Sequence, residues 1–228
     1  MSLFEEEKIL NKASDLEQDS KRLLNSTYIN LQKSPFAELI EKATTVNELQ
    51  TICANYGEFS SSKLSNKMNF SFGNFLANVM IICEPPGRME IKDNVIYSGD
   101  RGLIFQKMYE AIGLSVEANN LYVVPIFPWR LSPNPNNAEK DMRLFFYCVK
   151  KHISIVKPKV LVFMDKGFAA SVNQSINFKE DNEEYGCQDG PITFSIETPA
   201  RLLDNSYEKR AAWKTLKYIR DILKKNNE

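Results

Sequence analysis

Glu84 is the residue of this sequence best placed to do chemistry. It follows the apolar run Asn78-Val79-Met80-Ile81-Ile82-Cys83 and precedes Pro85, Pro86 and Gly87. A short apolar run bounded by turn residues reads as a buried strand. Pro86 cannot continue a ladder, and Gly87 allows backbone conformations that other residues resist. One carboxylate is thereby held on a stiff turn at the C-terminal end of a strand. In open α/β sheets, ligands and catalytic groups gather at that edge.

The elements that must position this turn alternate along the chain. Strand-like runs cover 78–83, 120–126, 159–164 and 191–196, and helical patterns cover 101–113, 138–156, 166–174 and 206–225. Short apolar strands alternating with helices predict a parallel sheet covered on both faces. Lys157-Pro158 is a helix stop, and Asn205-Ser206-Tyr207-Glu208 caps a last helix with Trp213, Leu216, Ile219 and Leu223 on one face. Phe178 to Gly190 is polar and acidic and reads as a surface loop. Ahead of the sheet, Thr45-Val46-Asn47-Glu48 is a capping box and Ser34-Pro35 a helix start. Residues 1 to 33 form a charge-rich amphipathic pattern with Leu3, Ile9, Leu10, Leu16, Leu23 and Leu24 as its stripe. The expected organisation is an N-terminal helical extension over 1–44 and an α/β domain over 45–228.

Composition bounds the function. The 228 residues are 43% hydrophobic, enough for a full core, and no run is long enough to span a membrane. The acidic start has no apolar signal region, so a cytoplasmic location is expected. The formal net charge of zero argues against bulk electrostatic binding of nucleic acid, although a local basic face exists on Lys209, Arg210, Lys214, Lys217, Arg220, Lys224 and Lys225. The four cysteines Cys53, Cys83, Cys148 and Cys187 form no C-x-x-C pair, so no zinc ribbon is expected. His152 is the single histidine, which excludes a two-histidine mechanism and is read as structural.

Four segments carry a specific resemblance: Cys83-Glu84-Pro85-Pro86-Gly87; Ile96-Tyr97-Ser98-Gly99-Asp100-Arg101-Gly102; Tyr122-Val123-Val124-Pro125 with Trp129, Arg130 and Asn134; and Thr198-Pro199-Ala200-Arg201-Leu202-Leu203. In order and spacing they resemble Gly-Glu-x-Pro-Gly, Pro-Phe-Val-Gly-x-x-Gly, Tyr-Ile-Thr-Asn and His-Pro-x-x-Leu-Leu. These are motifs of the uracil-DNA glycosylase superfamily, nearest to its bacterial family-four branch. The resemblance covers roughly residues 45 to 225. It implies a three-layer α/β/α sandwich with a small parallel sheet. It also implies a DNA partner and hydrolysis of the bond between a flipped-out base and its deoxyribose, the chemistry of base excision repair.

The same resemblance assigns roles. Glu84 would position water or stabilise the sugar cation, and Tyr97 falls at the base-stacking position. Cys83, Pro85, Pro86 and Gly87 would line the base pocket. Pro199, Arg201, Leu202 and Leu203 match a loop that wedges into the duplex. Two positions depart. Pro125 falls where the family has an edge-reading asparagine, and proline has neither a side-chain amide nor an N–H. Thr198 replaces the anion-stabilising histidine. Losing an oxyanion-type donor costs on the order of 10²–10³ in rate, and an unread polar edge costs about 1–3 kcal/mol for each unpaired atom. Little or no uracil excision is therefore expected, with a non-catalytic DNA- or protein-binding role as the alternative. The N-terminal helix is the expected surface for a protein partner. Two iron–sulfur ligand positions of family four fall near Phe59 and at Phe145, so no cluster and no metal is expected.

Overall fold

The computed structural model describes residues 34–65, 67–165, 179–181, 184–186 and 190–225. The chain divides into two compact units, Met1–Lys42 and Ala43–Glu228. In the first, the described element is α1, Pro35–Lys42, with the Ser34 hydroxyl accepting the Ala37 amide at 3.1 Å. The amphipathic pattern over 1–33, the helix expected over 166–174 and Cys187 lie outside the described residues.

In the second unit, α2 (Val46–Asn55) starts on the capping box. The Thr45 hydroxyl accepts from the Glu48 amide at 3.2 Å, and Glu48 accepts from the Thr45 amide at 3.3 Å. There follow β1 (Phe72–Gly73), β2 (Val79–Cys83), α3 (Arg88–Asp93), α4 (Gly99–Glu110), β3 (Tyr122–Pro125), α5 (Pro135–Val156) and β4 (Val160–Met164). The chain continues through β5 (Lys179–Asp181), β6 (Glu184–Gly186), β7 (Ile192–Ile196), α6 (Pro199–Asp204) and α7 (Ser206–Lys225). The sheet order is β1-β3-β2-β4-β7-β6-β5.

The expectation of a parallel sheet holds for its centre, where β3, β2, β4 and β7 run parallel. Both edges are antiparallel: β1 pairs with β3, and the β5–β6 hairpin pairs with β7. The segment read as a surface loop over 178–190 thus contains two strands. Edge strands pair through their backbones and need no apolar run, so a polar, acidic hairpin leaves no hydrophobic pattern to read.

Alternation along the central strands builds the two faces. Val79, Ile81 and Cys83 of β2 join Phe105 and Tyr109 of α4, Leu202 of α6, and Leu216 and Ile219 of α7 in one buried cluster. Met80 and Ile82 are equally buried and face the other side. There α2 meets α5, and Phe59, Phe127, Trp129 and Phe145 pack with ring centroids 5.4–6.2 Å apart. This is a three-layer α/β/α sandwich. Trp213, expected on the buried face of α7, is 41% exposed, and Ala212 takes the buried position beside it. Among the described residues no helix is long and apolar enough to cross a membrane.

His152 lies inside the second face. Its Nε2 sits 2.7 Å from the Tyr122 hydroxyl, and its ring stacks on Phe70 at 5.2 Å. Burial pushes the imidazole down from 6.5 to about 3, so at neutral pH the ring is uncharged and shares one hydrogen bond with the phenol. The unfolded chain binds a proton near pH 6.5, whereas the folded chain resists until about 3. Stability is therefore fully present above that window and falls as pH drops through it, by up to about 1.4 kcal/mol per pH unit. Denaturant unfolding between pH 7 and pH 4 should show a shallower acid-side slope for His152→Gln than for the unmodified chain. Equal slopes would mean that His152 is not held neutral.

Candidate functional site

Four parallel strands present their C-terminal ends on one edge. Cys83 is in register with Pro125, and Met164 with Ile196. The residues that leave these strands are Glu84 after β2, Asp165 after β4, and Glu197 and Thr198 after β7. Glu84, Pro125 and Thr198 are thereby brought to a common edge. Asp165 and Glu197 were not singled out by sequence, because one carboxylate after an apolar strand carries no spacing signal. Asp165 has a φ of 152°, a conformation that costs a non-glycine residue energy and that clusters at functional sites.

Glu84 is half-buried, and its Oε2 has no hydrogen-bond partner. Burial pushes its carboxyl above the ordinary 4.5. The Tyr97 hydroxyl and the Arg101 charge pull it back, while Asp165 and Glu90 push it further up. Tyr97 is 8% exposed inside the core cluster, packed on Phe105 at 5.3 Å with the Arg101 guanidinium 5.7 Å from its ring centre. The residue at the base-stacking position thus closes the core beneath Glu84. Its hydroxyl is buried beside the Glu84 carboxylate that it helps hold down, and burial first drives its pKa well above 10. Cys83 is 2% exposed, and burial drives its thiol far above the ordinary range, so it offers no thiolate at neutral pH.

Glu90 is the residue that the sequence reading missed. It is 2% exposed at the third position of α3. Its Oε1 accepts the Ser98 amide at 3.0 Å and the Ser98 hydroxyl at 2.7 Å, and it forms an ion pair with Arg101. The side chain of Asn69 donates to the Glu90 carbonyl at 3.0 Å. Glu90 thus ties the turn after β2 to the N-terminus of α4, whose cap Ser98 makes no side-chain cap of its own. Two glycines make room for this clamp. A Cβ on Gly87 would stand 2.7 Å from the pinned Glu90 Oε2, and one on Gly102 would stand 2.6 Å from the Tyr97 carbonyl. Gly87 has an ordinary φ of −80°, so its use is space, not the unusual backbone expected of it. A glycine followed three residues later by a glutamate was the available signal.

Thr198 and Pro125 do structural work. The Thr198 hydroxyl accepts the Arg201 amide at 3.4 Å as the N-cap of α6, with Pro199 at the first helical position. Pro125 is buried at the end of β3. Pro86 and Pro199 are also buried, and Pro85 is half-buried. The segment that resembles a wedging loop forms the helix α6. Leu202 is 0% exposed and belongs to the core, because helical spacing turns it toward the sheet. Leu203 is 38% exposed and lines an apolar groove with Leu103 and Trp213. Arg201 is exposed and pairs with the buried Glu197 at 3.4 Å.

The two expected cluster-ligand positions near 59 and at 145 carry phenylalanines. The Phe59 and Phe145 rings pack against each other, 5.9 Å between centroids. The Cys53 and Cys148 sulfurs lie 3.4 Å apart, but two thiols are half of what a cluster takes. Among the described residues no group of three metal-ligating side chains comes together.

Glu84 and Glu90 have opposite linkages to pH. Glu84 is raised, so its stabilising effect is present below pH 4.5 and is lost as pH rises through its folded value. For Glu90, burial is outweighed by the Ser98 bonds and Arg101, and its carboxyl is lowered. Its contribution is present above 4.5 and is lost as pH falls. Glu84→Gln should therefore gain stability relative to the unmodified chain as pH rises from 4 to 7. Glu90→Gln should lose about 1–3 kcal/mol at pH 7 and recover part of it in acid. Unfolding curves at both pH values check this, and same-sign pH trends for the two variants would refute it.

Comparison with known proteins supplies the family. No curated protein matches the chain. The family model of the uracil DNA glycosylase superfamily matches residues 70–221, which include every strand of the sheet and all four motif segments. The chain belongs to the uracil DNA glycosylase superfamily.

Proposed function

We propose that this chain is a divergent member of the superfamily, nearest to the bacterial family-four branch by its motifs, that interacts with DNA and excises uracil negligibly. The observation that carries the reading is the edge made by Pro125 and Thr198. Excision of uracil puts negative charge on the leaving base and exposes a polar edge that must be read in the pocket. At the end of β3 stands a buried proline with no donor. At the end of β7 stands a threonine whose oxygen already caps α6. Proline offers no donor, and the threonine keeps one short neutral O–H in place of the histidine that the resemblance puts there. DNA contact would fall to the exposed Arg201 and Leu203 at the start of α6, with Pro199 fixing that helix.

Glu84 favours a second reading, a hydrolase acting on another damaged base. Glu84 Oε2 and the Tyr97 hydroxyl are buried beside each other, and neither makes a well-formed hydrogen bond to a third group. One acceptor and one donor at the base of the site suit a held water, and Glu84 would orient it toward the sugar carbon.

An excision assay on single-stranded and duplex DNA containing uracil, hypoxanthine or xanthine separates these readings. No uracil product is expected. Product from another base that disappears in Glu84→Gln selects the second reading, and uracil product that disappears in the same variant overturns the first. The double substitution Pro125→Asn with Thr198→His should create uracil excision, since one restored anion donor alone is worth on the order of 10²–10³ in rate.

We also propose that no iron–sulfur cluster is carried. Protein purified without oxygen should show no charge-transfer absorption in the visible range and no bound iron, and stoichiometric iron would overturn the proposal.

A further inference from the structure

At the opposite edge of the sheet, the N-terminal ends of β2 and β4 meet the last turns of α7 around a cavity of about 390 Å³. Its polar lining includes Lys159, Arg220 and Lys224, together with Asn78 and Asn119. Its apolar wall includes Leu223, with Ile112 beside it. No carboxylate lines it among the described residues. Three cations around one cavity are a marked local excess in a chain whose formal net charge is zero.

Basic residues at the end of a helix ordinarily answer the helix's own carbonyl dipole. That accounts for Lys224, and in part for Arg220. It does not account for Lys159, which comes from the start of β4, nor for Asn78, which precedes β2. Arg220 is oriented by its neighbour, with Nε 3.0 Å and Nη2 2.9 Å from an Asp221 oxygen. Asn120, also on the lining, is committed to the local turn, accepting from the Ser115 amide at 2.8 Å and donating to the Gly113 carbonyl at 2.8 Å. The basic residues of α7 are divided between two places along its length. A 20-residue helix is about 30 Å long, and Lys209 lines the apolar groove while Arg220 and Lys224 line this cavity.

We infer that this cavity binds a small phosphate-bearing anion of nucleotide size, at a site separate from the edge that carries Glu84. Lys159 and Lys224 hold the phosphate as point charges, and Arg220, whose Nε and Nη2 face Asp221, offers its remaining N–H groups. The asparagine side chains offer donors and acceptors to a polar ring edge, and Leu223 and Ile112 give it an apolar floor. The volume lies within the range of small-molecule pockets, roughly 300–1,000 Å³.

The test is calorimetric titration of the full chain with deoxyadenosine 5′-monophosphate at low and high salt. Saturable binding is expected, weakened by salt and competed by inorganic phosphate. The exposed pair Lys159→Glu with Lys224→Glu should weaken it at least about tenfold, because two attractive charges become repulsive. Glu84→Gln should leave it unchanged, which separates this site from the other edge. Absence of saturable binding, binding indifferent to the double charge reversal in a variant of unchanged unfolding temperature, or loss in Glu84→Gln would each overturn the proposal. A purely salt-driven association with long DNA, with no mononucleotide binding, would do the same.

Discussion

The register of the four central strands is the constraint on which the rest of the molecule depends. Because β3, β2, β4 and β7 are parallel and paired residue for residue, their C-terminal ends share one edge. Segments that stand more than a hundred residues apart in sequence, from Glu84 to Thr198, become neighbours through that pairing alone. A slip of one residue in any strand would exchange its two buried faces. Every residue of β2, β3 and β4 is buried, so no slipped register has a polar face to spare. The same register sends the opposite ends of β2 and β4 to a second edge, where a cavity of different chemistry forms.

At the first edge, groups expected to face a ligand are used by the fold. Thr198 starts a helix, Pro125 ends a strand and Tyr97 seals a core. The Glu90 carboxylate draws Ser98 and Arg101 together and fixes the two turns that flank Glu84. A buried carboxylate with several charge-assisted bonds is well held, and removing one partner leaves the rest uncompensated. The turn bearing Glu84 is thus rigid for reasons that do not involve Glu84.

Much of this was legible in the sequence, and the illegible parts have physical causes. The central strands are short apolar runs because both of their faces are buried, which is the pattern that sequence reports most directly. The capping box at Thr45 and the cap at Asn205, whose side chain accepts the Tyr207 and Glu208 amides at 3.0 and 3.3 Å, are local, and local sequence states them. The β5–β6 hairpin is held by backbone pairing at an edge, and backbone bonds leave no trace in side-chain pattern. The burial of Tyr97 and Leu202 is a tertiary outcome, since a motif position fixes where a side chain starts and its packing neighbours decide where it ends. Thr198-Pro199 has the residue types of a helix start, a capping hydroxyl followed by proline at the first helical position.

Glu84 is the residue for which the fold offers no structural use. Its neighbours have partners: Glu90 has Ser98 and Arg101, and Glu197 has Arg201. Glu84 has a buried oxygen with no hydrogen bond and a carboxyl raised above its ordinary value, first by burial. A polar group in that condition lowers stability by about 1–3 kcal/mol. A glutamine there would carry no desolvated charge, and an apolar residue would leave no orphaned oxygen. The phenol of Tyr97 lies beside it and draws the carboxyl down, yet neither atom reaches a well-formed hydrogen bond. Two adjacent polar atoms, one acceptor and one donor, each unfavourable alone, become favourable together once a small polar molecule bridges them. A small polar ligand would complete this pair whether or not the chain ever releases a base.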